Sequence, residues 1–133
     1  MARDLDHEAR NKALVLEAFD ALFNRRDFDA AARYWAPDYV QHSAGIGPGR
    51  DGLFEMVRSV HRRYESALAL SEGDHVMVHG RFSGGDRPTR IVVDIFRIEN
   101  GRLVEHWDVM QTEATRAESM SRLPMFGDTF PDV

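Results

Sequence analysis

The first part of the chain carries helical patterns of apolar positions separated by turn-forming residues. Apolar residues recur at spacings of three and four from residue 6 to residue 24, which predicts an amphipathic helix with Asp6 as its N-cap. The same periodicity returns from residue 51 to residue 64, where Asp51 can cap another helix. Each of these segments is expected to bury one face.

A short helix, a short strand and a loop are predicted between these two helices. Asp27 or Asp29 can cap the short helix, which carries Trp35. It must end before Pro37, because the residue preceding a proline avoids the helical conformation. Residues 38–42 predict a brief strand that opens into a glycine-rich loop.

After residue 64 the pattern changes to a period of two, which predicts strands. The predicted strands cover residues 65–71, 75–83, 89–98 and 102–111. Their short connections are rich in turn-forming residues, so the strands form an antiparallel meander. The tail over residues 112–133 is polar and irregular, and it admits a short helix at 113–121. The whole chain, residues 1–133, is therefore predicted to be one α+β domain, a cone-shaped barrel with three helices packed in a curved, mainly antiparallel sheet.

Composition narrows the class of protein. The net charge is −5 and the 17 Lys and Arg residues are scattered, which argues against a nucleic-acid partner. No apolar run approaches the roughly 18 residues of a membrane span, and the polar start does not resemble a signal peptide. Cysteine is absent, which excludes disulfides and thiolate chemistry. We therefore expect a cytoplasmic protein without a membrane partner.

The turn at residues 100–101 decides which side chains of the last two strands share a face. A two-residue loop would place Asp94 and Asp108 on opposite faces. A three-residue loop pairs Asp94 with His106 and Val92 with Asp108, so both acids and the histidine share one face. We expect the three-residue loop.

The expected register also brings Arg97 near Glu105, where opposite charges meet across strands. The predicted inner face carries Val92, Asp94, Phe96, Ile98, Val104, His106, Asp108 and Met110. The predicted outer face carries Ile91, Val93, Ile95, Arg97, Leu103, Glu105, Trp107 and Val109. If the helices cover only the inner face, the apolar outer face needs a partner, and we expect a homodimer through it.

Two carboxyl groups on one apolar face require a chemical explanation. Two neighbouring acids cannot both ionise freely, so the pKa of one of them should rise toward neutrality. Such a pair suits general acid–base catalysis, and we predict Asp108, Asp94, His106 and His42 as catalytic residues. The alternative is that either aspartate is solvated or paired with an arginine.

The histidines are the other candidates. His106 lies two residues from Asp108 and shares its face, and His42 stands where a strand meets a loop, a common position for binding residues. For each histidine the alternative is a purely structural role. His106 and Asp108 could also bind a metal ion together, but no specific metal-ligand spacing is present, so no metal or other cofactor is predicted. The predicted substrate-binding residues are His79, whose face the pattern leaves open, Tyr39, Phe96, Met110 and Trp35.

Four motifs together resemble the SnoaL-like polyketide cyclases of the nuclear-transport-factor-2-like superfamily. They lie at residues 39–42, 49–52, 93–97 and 105–111, within a resemblance that covers most of the chain. In combination they are typical of the branch described as SnoaL-like aldol-condensation proteins.

The resemblance implies a cone-shaped α+β barrel that is often dimeric through the outer face of its sheet and uses no metal or organic cofactor. In the cyclases an aspartate on the last strand is the acid and base of an intramolecular aldol closure, and Asp108 matches this position. A histidine on the preceding strand assists it there, whereas this chain has Asp94 at that place. The pair of facing acids also resembles the active site of the limonene-epoxide hydrolases, in which two aspartates and an arginine activate water.

Three functions follow from these observations. The first is an aldol-type cyclisation, condensation or isomerisation of a small apolar carbonyl compound. In it Asp108 removes the α-proton, His106 or His42 stabilises the enolate oxygen, and Asp94 tunes Asp108. The second is ligand binding without turnover, and the third is hydrolysis of a strained ether such as an epoxide.

Overall fold

The computed structural model describes residues 2–131, which form three α-helices and five strands in the predicted order. The helices are α1 (Leu5–Phe19), which continues as a π-helical turn over Asp20–Asn24, α2 (Phe28–Ala31) and α3 (Gly49–Ser59). The strands are β1 (Trp35–Gln41), β2 (Arg63–Glu72), β3 (His75–Ser83), β4 (Arg90–Glu99) and β5 (Arg102–Thr112). None of the helices in this part of the chain is long and apolar enough to cross a membrane.

The caps of the helices differ in part from the predicted ones. Asp4, and not Asp6, caps α1, because its side chain accepts a hydrogen bond from a backbone N–H of the first turn at 3.0 Å. Asp27 caps α2, and it is one of the two predicted candidates for this cap. Helix α3 begins after Pro48 without a side-chain cap, so Asp51 lies within its first turn.

Three segments predicted as helical have another conformation. Trp35 does not extend α2 but begins β1, because it pairs with Leu103 on β5 and so enters the sheet. Helix α3 ends at Ser59, since the backbone at Val60 is extended (φ −137°, ψ 115°). In the tail, residues 113–121 form turns instead of a short helix.

The five strands form one sheet in the order β1-β5-β4-β3-β2. Strands β2 to β5 pair antiparallel as predicted, whereas β1 joins β5 in parallel. Irregular pairing in β2 and β5 bends the sheet. Strands β1 and β2 are its edges, so the sheet is open and does not close into the predicted barrel. The α+β cone with three helices is confirmed.

The β4–β5 hairpin keeps the predicted faces in a different register. Its loop at residues 100–101 has two residues, both with left-handed backbone (φ 51° and 73°), so the expected three-residue loop is wrong. A bulge at Val104 then shifts the pairing by one residue. Asp94 therefore lies opposite Asp108 and not opposite His106, and all three still share the inner face.

The bulge also exchanges two neighbours at the start of β5. Leu103, expected on the outer face, is fully buried opposite Ile98, whereas Val104 is only partly buried. Beyond the bulge the expected alternation returns. Arg97 pairs with Glu105 on the outer face, where Nε donates to Oε1 at 2.9 Å.

An aromatic cluster fills the space between the helices and the sheet. The ring of Phe19 on α1 lies 6.2, 4.7 and 5.3 Å from the rings of Trp35, Tyr64 and Phe96. Gly80 on β3 makes room for Tyr64, since a Cβ at that position would lie 2.5 Å from the tyrosine ring. The cluster forms one wall of a cavity on the inner face of the sheet.

Candidate active site

A cavity of about 580 Å³ lies between the inner face of the sheet and the helices. This volume suits a small-molecule ligand. Its wall is mostly aromatic and aliphatic, and the acids and the histidine that line it lie on β4 and β5. Seven of the nine predicted site residues line it, namely Trp35, Tyr39, Asp94, Phe96, His106, Asp108 and Met110.

Asp94 and Asp108 are direct cross-strand partners, and His106 lies beside both. His106 Nε2 is 2.7 Å from Asp94 Oδ1 and 4.0 Å from Asp108 Oδ2. Asp94 and His106 are buried, whereas the side chain of Asp108 is 14% exposed and accepts no hydrogen bond from the described residues. The structure therefore assembles the predicted group, with Asp108 as its accessible member.

The second ring nitrogen of His106 contacts Gln41 on β1, with 2.6 Å between Nδ1 and Oε1. The same Oε1 accepts a hydrogen bond from the backbone N–H of Ser43 at 3.0 Å, which identifies it as the amide oxygen. An atom that only accepts requires Nδ1 to carry a proton. The contact between His106 Nε2 and Asp94 Oδ1 then holds one shared proton, as imidazolium and carboxylate or as imidazole and carboxylic acid.

Burial dominates the ionisation of Asp94. Loss of hydration raises the pKa of its carboxyl group, and the hydrogen bond and charge of His106 lower it in part. The negative charge of Asp108 raises it further. The second oxygen of Asp94, Oδ2, is buried and has no hydrogen-bond partner among residues 2–131. Both effects of burial favour a neutral Asp94–His106 pair beside the Asp108 carboxylate.

Tyr39 offers a neutral hydroxyl group to the same cavity. Burial raises the pKa of its phenol, the nearby aspartates raise it further, and Trp35 and Gln41 lower it. The indole nitrogen of Trp35 and the amide nitrogen of Gln41 are buried, and neither forms a hydrogen bond with the residues that the structure describes. The hydroxyl proton of Tyr39 is then available to a ligand.

Two predicted site residues, His42 and His79, do not line the cavity. His42 points to the opposite face, because successive residues of an extended chain alternate in direction. There its Nε2 lies 2.7 Å from Glu105 Oε2 and its ring stacks on Trp107 at 4.9 Å. His79 lies on the outer face beside Phe126, with 5.8 Å between the rings.

The sequence model of the SnoaL-like domain matches residues 15–106, which is more than half of the chain and ends within the His106 motif. The chain belongs to the SnoaL-like family. No match is found among curated proteins.

Solved structures share the fold of this SnoaL-like chain. TsrD from Streptomyces laurentii is 25% identical with a TM-score of 0.66, over 77% of this chain and 89% of that one. A provisionally assigned ketosteroid isomerase from Kribbella flavida DSM 17836 is 18% identical with a TM-score of 0.72, over 93% and 97%. An LEH-like epoxide hydrolase from M. tuberculosis is 19% identical with a TM-score of 0.66, over 79% and 85%. The match to the family model confirms the resemblance to the SnoaL-like family that was inferred from the sequence.

Sequence reasoning missed four polar residues of this SnoaL-like site. Gln41 belongs to the motif at residues 39–42, but its contact with His106 depends on the parallel pairing of β1 with β5. No pattern in the sequence around Gln41 indicates that pairing. Arg62, Arg87 and Arg90 line the cavity from outside the strand centres. Charged residues at such places are usually solvated, so nothing in the pattern marked them.

The donor atoms of Asp94, His106 and Asp108 lie within 4.8 Å of one another, so these residues could together contact a metal ion. The 2.7 Å contact between His106 Nε2 and Asp94 Oδ1 is that of a hydrogen bond. Two ligands of one ion, each about 2.1 Å from it, stand roughly 3 Å apart or more. The arrangement fits proton sharing better, and the expected lack of a metal stays a prediction.

Proposed function

We propose that this protein is a cofactor-independent enzyme that removes and returns a proton next to the carbonyl group of a small, largely apolar compound. The outcome would be an aldol-type cyclisation or condensation, or an isomerisation. One observation carries the proposal: in one apolar cavity, Asp108, whose carboxyl group accepts no hydrogen bond from the described residues, stands directly opposite a buried acid, Asp94, whose pKa is raised. Sites that need an acid and a base at neutral pH separate two carboxyl groups in this way.

Asp108 is the proposed base. It lines the cavity, and no hydrogen bond from the described residues occupies its oxygens. It takes the α-proton, the electron pair of the broken C–H bond becomes the C=C bond of an enolate, and the π pair of the carbonyl group moves to its oxygen. In the aldol reaction the enolate carbon attacks a second carbonyl group of the substrate, and the oxygen of that group takes the proton from Asp108. In an isomerisation the enolate is conjugated with a further C=C bond, and Asp108 returns the proton at the far carbon of that bond.

Tyr39 is the proposed donor to the enolate oxygen. His106 was expected in this role, but both of its ring nitrogens are occupied, by Gln41 and Asp94. The phenol of Tyr39 keeps its proton because burial raises its pKa, and it faces the same cavity. A neutral donor held in an apolar site stabilises developing negative charge effectively.

The Asp94–His106–Gln41 chain is proposed to position this machinery. With one proton shared between Asp94 and His106, the cavity holds one full negative charge instead of two. Protonated Asp108 would then meet a neutral neighbour and could return its proton.

Two alternatives remain testable on the same cavity. The facing aspartates and the LEH-like epoxide hydrolase of the same fold support hydrolysis of an epoxide. However, His106, and not an arginine, lies beside the two acids, and Arg97 points to the outer face as expected. Binding without turnover needs only the apolar cavity.

Three readouts on a panel of apolar ketones and epoxides separate these functions. Acid–base catalysis predicts exchange of α-protons for deuterium from the solvent. Epoxide hydrolysis predicts a diol that carries an oxygen atom from isotopically labelled water. Saturable binding of ketones with neither reaction would contradict the enzyme proposal and support a binding protein.

A further inference from the structure

Three arginines also line the cavity. Arg62 and Arg90 are partly exposed and Arg87 is exposed, and all three line the same space as Asp108. No carboxylate of the described residues lies within 4.0 Å of any of them. They also act on one another, since burial and the charges of Arg87 and Arg90 lower the pKa of Arg62. Three unneutralised positive charges beside an apolar cavity favour a ligand that brings a negative charge.

The hydrogen bonds of these arginines show which of them are available. Arg62 donates to three carbonyl oxygens around the β3–β4 loop, at 2.7, 2.9 and 3.0 Å, and so supports that loop. Arg90 donates one hydrogen bond, to Thr112 Oγ1 at 2.7 Å. Arg87 donates none to the described residues. Arg87 and most of the Arg90 guanidinium are therefore free to meet a ligand.

The charges of the cavity are arranged along its length. Arg90 and Asp94 lie on the same face of β4, four residues and about 13 Å apart. The Asp108 carboxylate repels an anionic group from its end of the cavity, and the arginines attract such a group to the other end. A ligand with one negative group is thus oriented with its uncharged part toward Asp108.

We propose that the cavity takes an amphipathic anion, whose carboxylate or phosphate group lies against Arg87 and Arg90. Its apolar body carries the reacting carbonyl group about 10 Å deeper, next to Asp108. The inference rests on the proposed function for the carbonyl end, and it names the substrate class. A medium-chain keto acid such as 9-oxodecanoate has the required length.

Two fluorescent probes test the anionic end. 8-Anilinonaphthalene-1-sulfonate and N-phenyl-1-naphthylamine share one aromatic body, but only the sulfonate is charged. The wild type should bind the sulfonate roughly ten-fold more tightly than the neutral probe. Added salt should weaken the binding of the sulfonate and leave the binding of the neutral probe unchanged. Arg87→Gln and Arg90→Gln should each weaken sulfonate binding by about five-fold and leave the neutral probe unchanged.

Arg97→Gln is the matched control, because Arg97 lies on the outer face and pairs with Glu99 and Glu105. Both probes should bind this variant as they bind the wild type. Equal affinity of the two probes for the wild type would overturn the proposal, as would binding of neither. Unchanged sulfonate binding in both Arg87→Gln and Arg90→Gln would also overturn it. If one of these variants does not fold, the salt dependence of sulfonate binding to the wild type still tests the proposal.

Competition against the bound sulfonate identifies the anionic group. Displacement by decanoate but not decyl phosphate indicates a carboxylate, and the reverse indicates a phosphate. Displacement by decanol as effective as that by either anion would contradict the proposal.

The anion proposal and the proposed function fail in different ways. If α-proton exchange depends on Asp108 but is equally fast on 2-decanone and 9-oxodecanoate, the anion proposal alone is wrong. If the sulfonate preference holds and no ketone exchanges, the proposed function alone is wrong.

Discussion

Gln41 determines where His106 can carry its protons. Its amide oxygen accepts hydrogen bonds from Ser43 and from His106 Nδ1. Gln41→Leu leaves a buried N–H of the imidazole without an acceptor, which should lower the free energy of unfolding by about 1–3 kcal/mol. Urea denaturation measures this loss. Gln111→Leu, at an exposed position of β5, should change it by less than about 0.5 kcal/mol. Equal effects of the two substitutions would contradict the hydrogen bond.

The ionisation of Asp94 is a second prediction for single residues. Because burial and then the charge of Asp108 raise the pKa of Asp94, its carboxyl carbon should titrate above the ordinary range near 3.9 when followed by carbon-13 NMR. Asp108→Asn removes the negative charge that disfavours ionisation, so it should shift the midpoint downward. A midpoint that stays or rises in this variant would show that Asp108 does not act on Asp94.

Among the elements, the C-terminal tail depends on one buried ion pair. Arg81 on β3 donates from Nε to Glu113 Oε1 at 2.8 Å, and a second contact joins the same two groups. Arg81 also donates to the backbone oxygen of Thr129 at 2.9 Å and lies over the ring of Phe126. These contacts hold the tail against the outer face of the sheet.

Glu113→Gln should therefore destabilise the protein by about 3–5 kcal/mol, because it removes the negative charge from a buried pair. Thermal or urea unfolding measures the loss, and limited proteolysis should cut the tail first. Glu99→Gln is the matched control, since its ion pair with Arg97 is exposed and contributes about 1 kcal/mol or less. Similar losses in both variants would argue against the tail contact.

The strands also show how far the sequence predicts this structure. The period of two gave the bounds of β3 exactly as observed and those of the other meander strands to within two residues, because alternation is a local property. The inner face of β4 and β5 was predicted from a wrong loop length. The real two-residue loop and the Val104 bulge together preserve the parity that places Asp94, Asp108 and His106 on one face.

What the sequence could not predict depends on long-range pairing. The parallel contact of β1 with β5 brings Gln41 to His106 and turns His42 away, although the two residues are adjacent in sequence. The same pairing draws Trp35 out of its predicted helix. The absence of a metal, the cytoplasmic location and the catalytic roles stay predictions.

At the scale of the whole molecule, the outer face of the sheet is the surface to explain. Two rows of mostly apolar residues cross it, namely Val109, Val93, His79 and Leu68, and Trp107, Ile95, Met77 and Leu70. Val109 is 71% exposed and Leu70 is 56% exposed. Apolar patches of this kind mark interfaces, and we propose that a second copy of the chain covers this one.

Val109→Asp should therefore convert a dimer into a monomer, because it places an unpaired charge within the apolar surface that the second copy would cover. Light scattering at several concentrations measures the mass. Leu123→Asp is the control, since Leu123 is 67% exposed but lies in the tail. A monomeric wild type, or a Val109→Asp variant that remains dimeric, would contradict the proposal.

The central claim is that Asp108 removes a proton next to a carbonyl group inside the cavity. NMR of 2-decanone and 9-oxodecanoate in deuterated water measures this step directly, with the wild type, Asp108→Asn and Asp38→Asn, an exposed aspartate of β1. We expect the wild type and Asp38→Asn to exchange the α-protons of at least one ketone. Asp108→Asn should be slower by at least about 100-fold while binding that ketone equally well. Exchange as fast in Asp108→Asn as in the wild type would contradict the account.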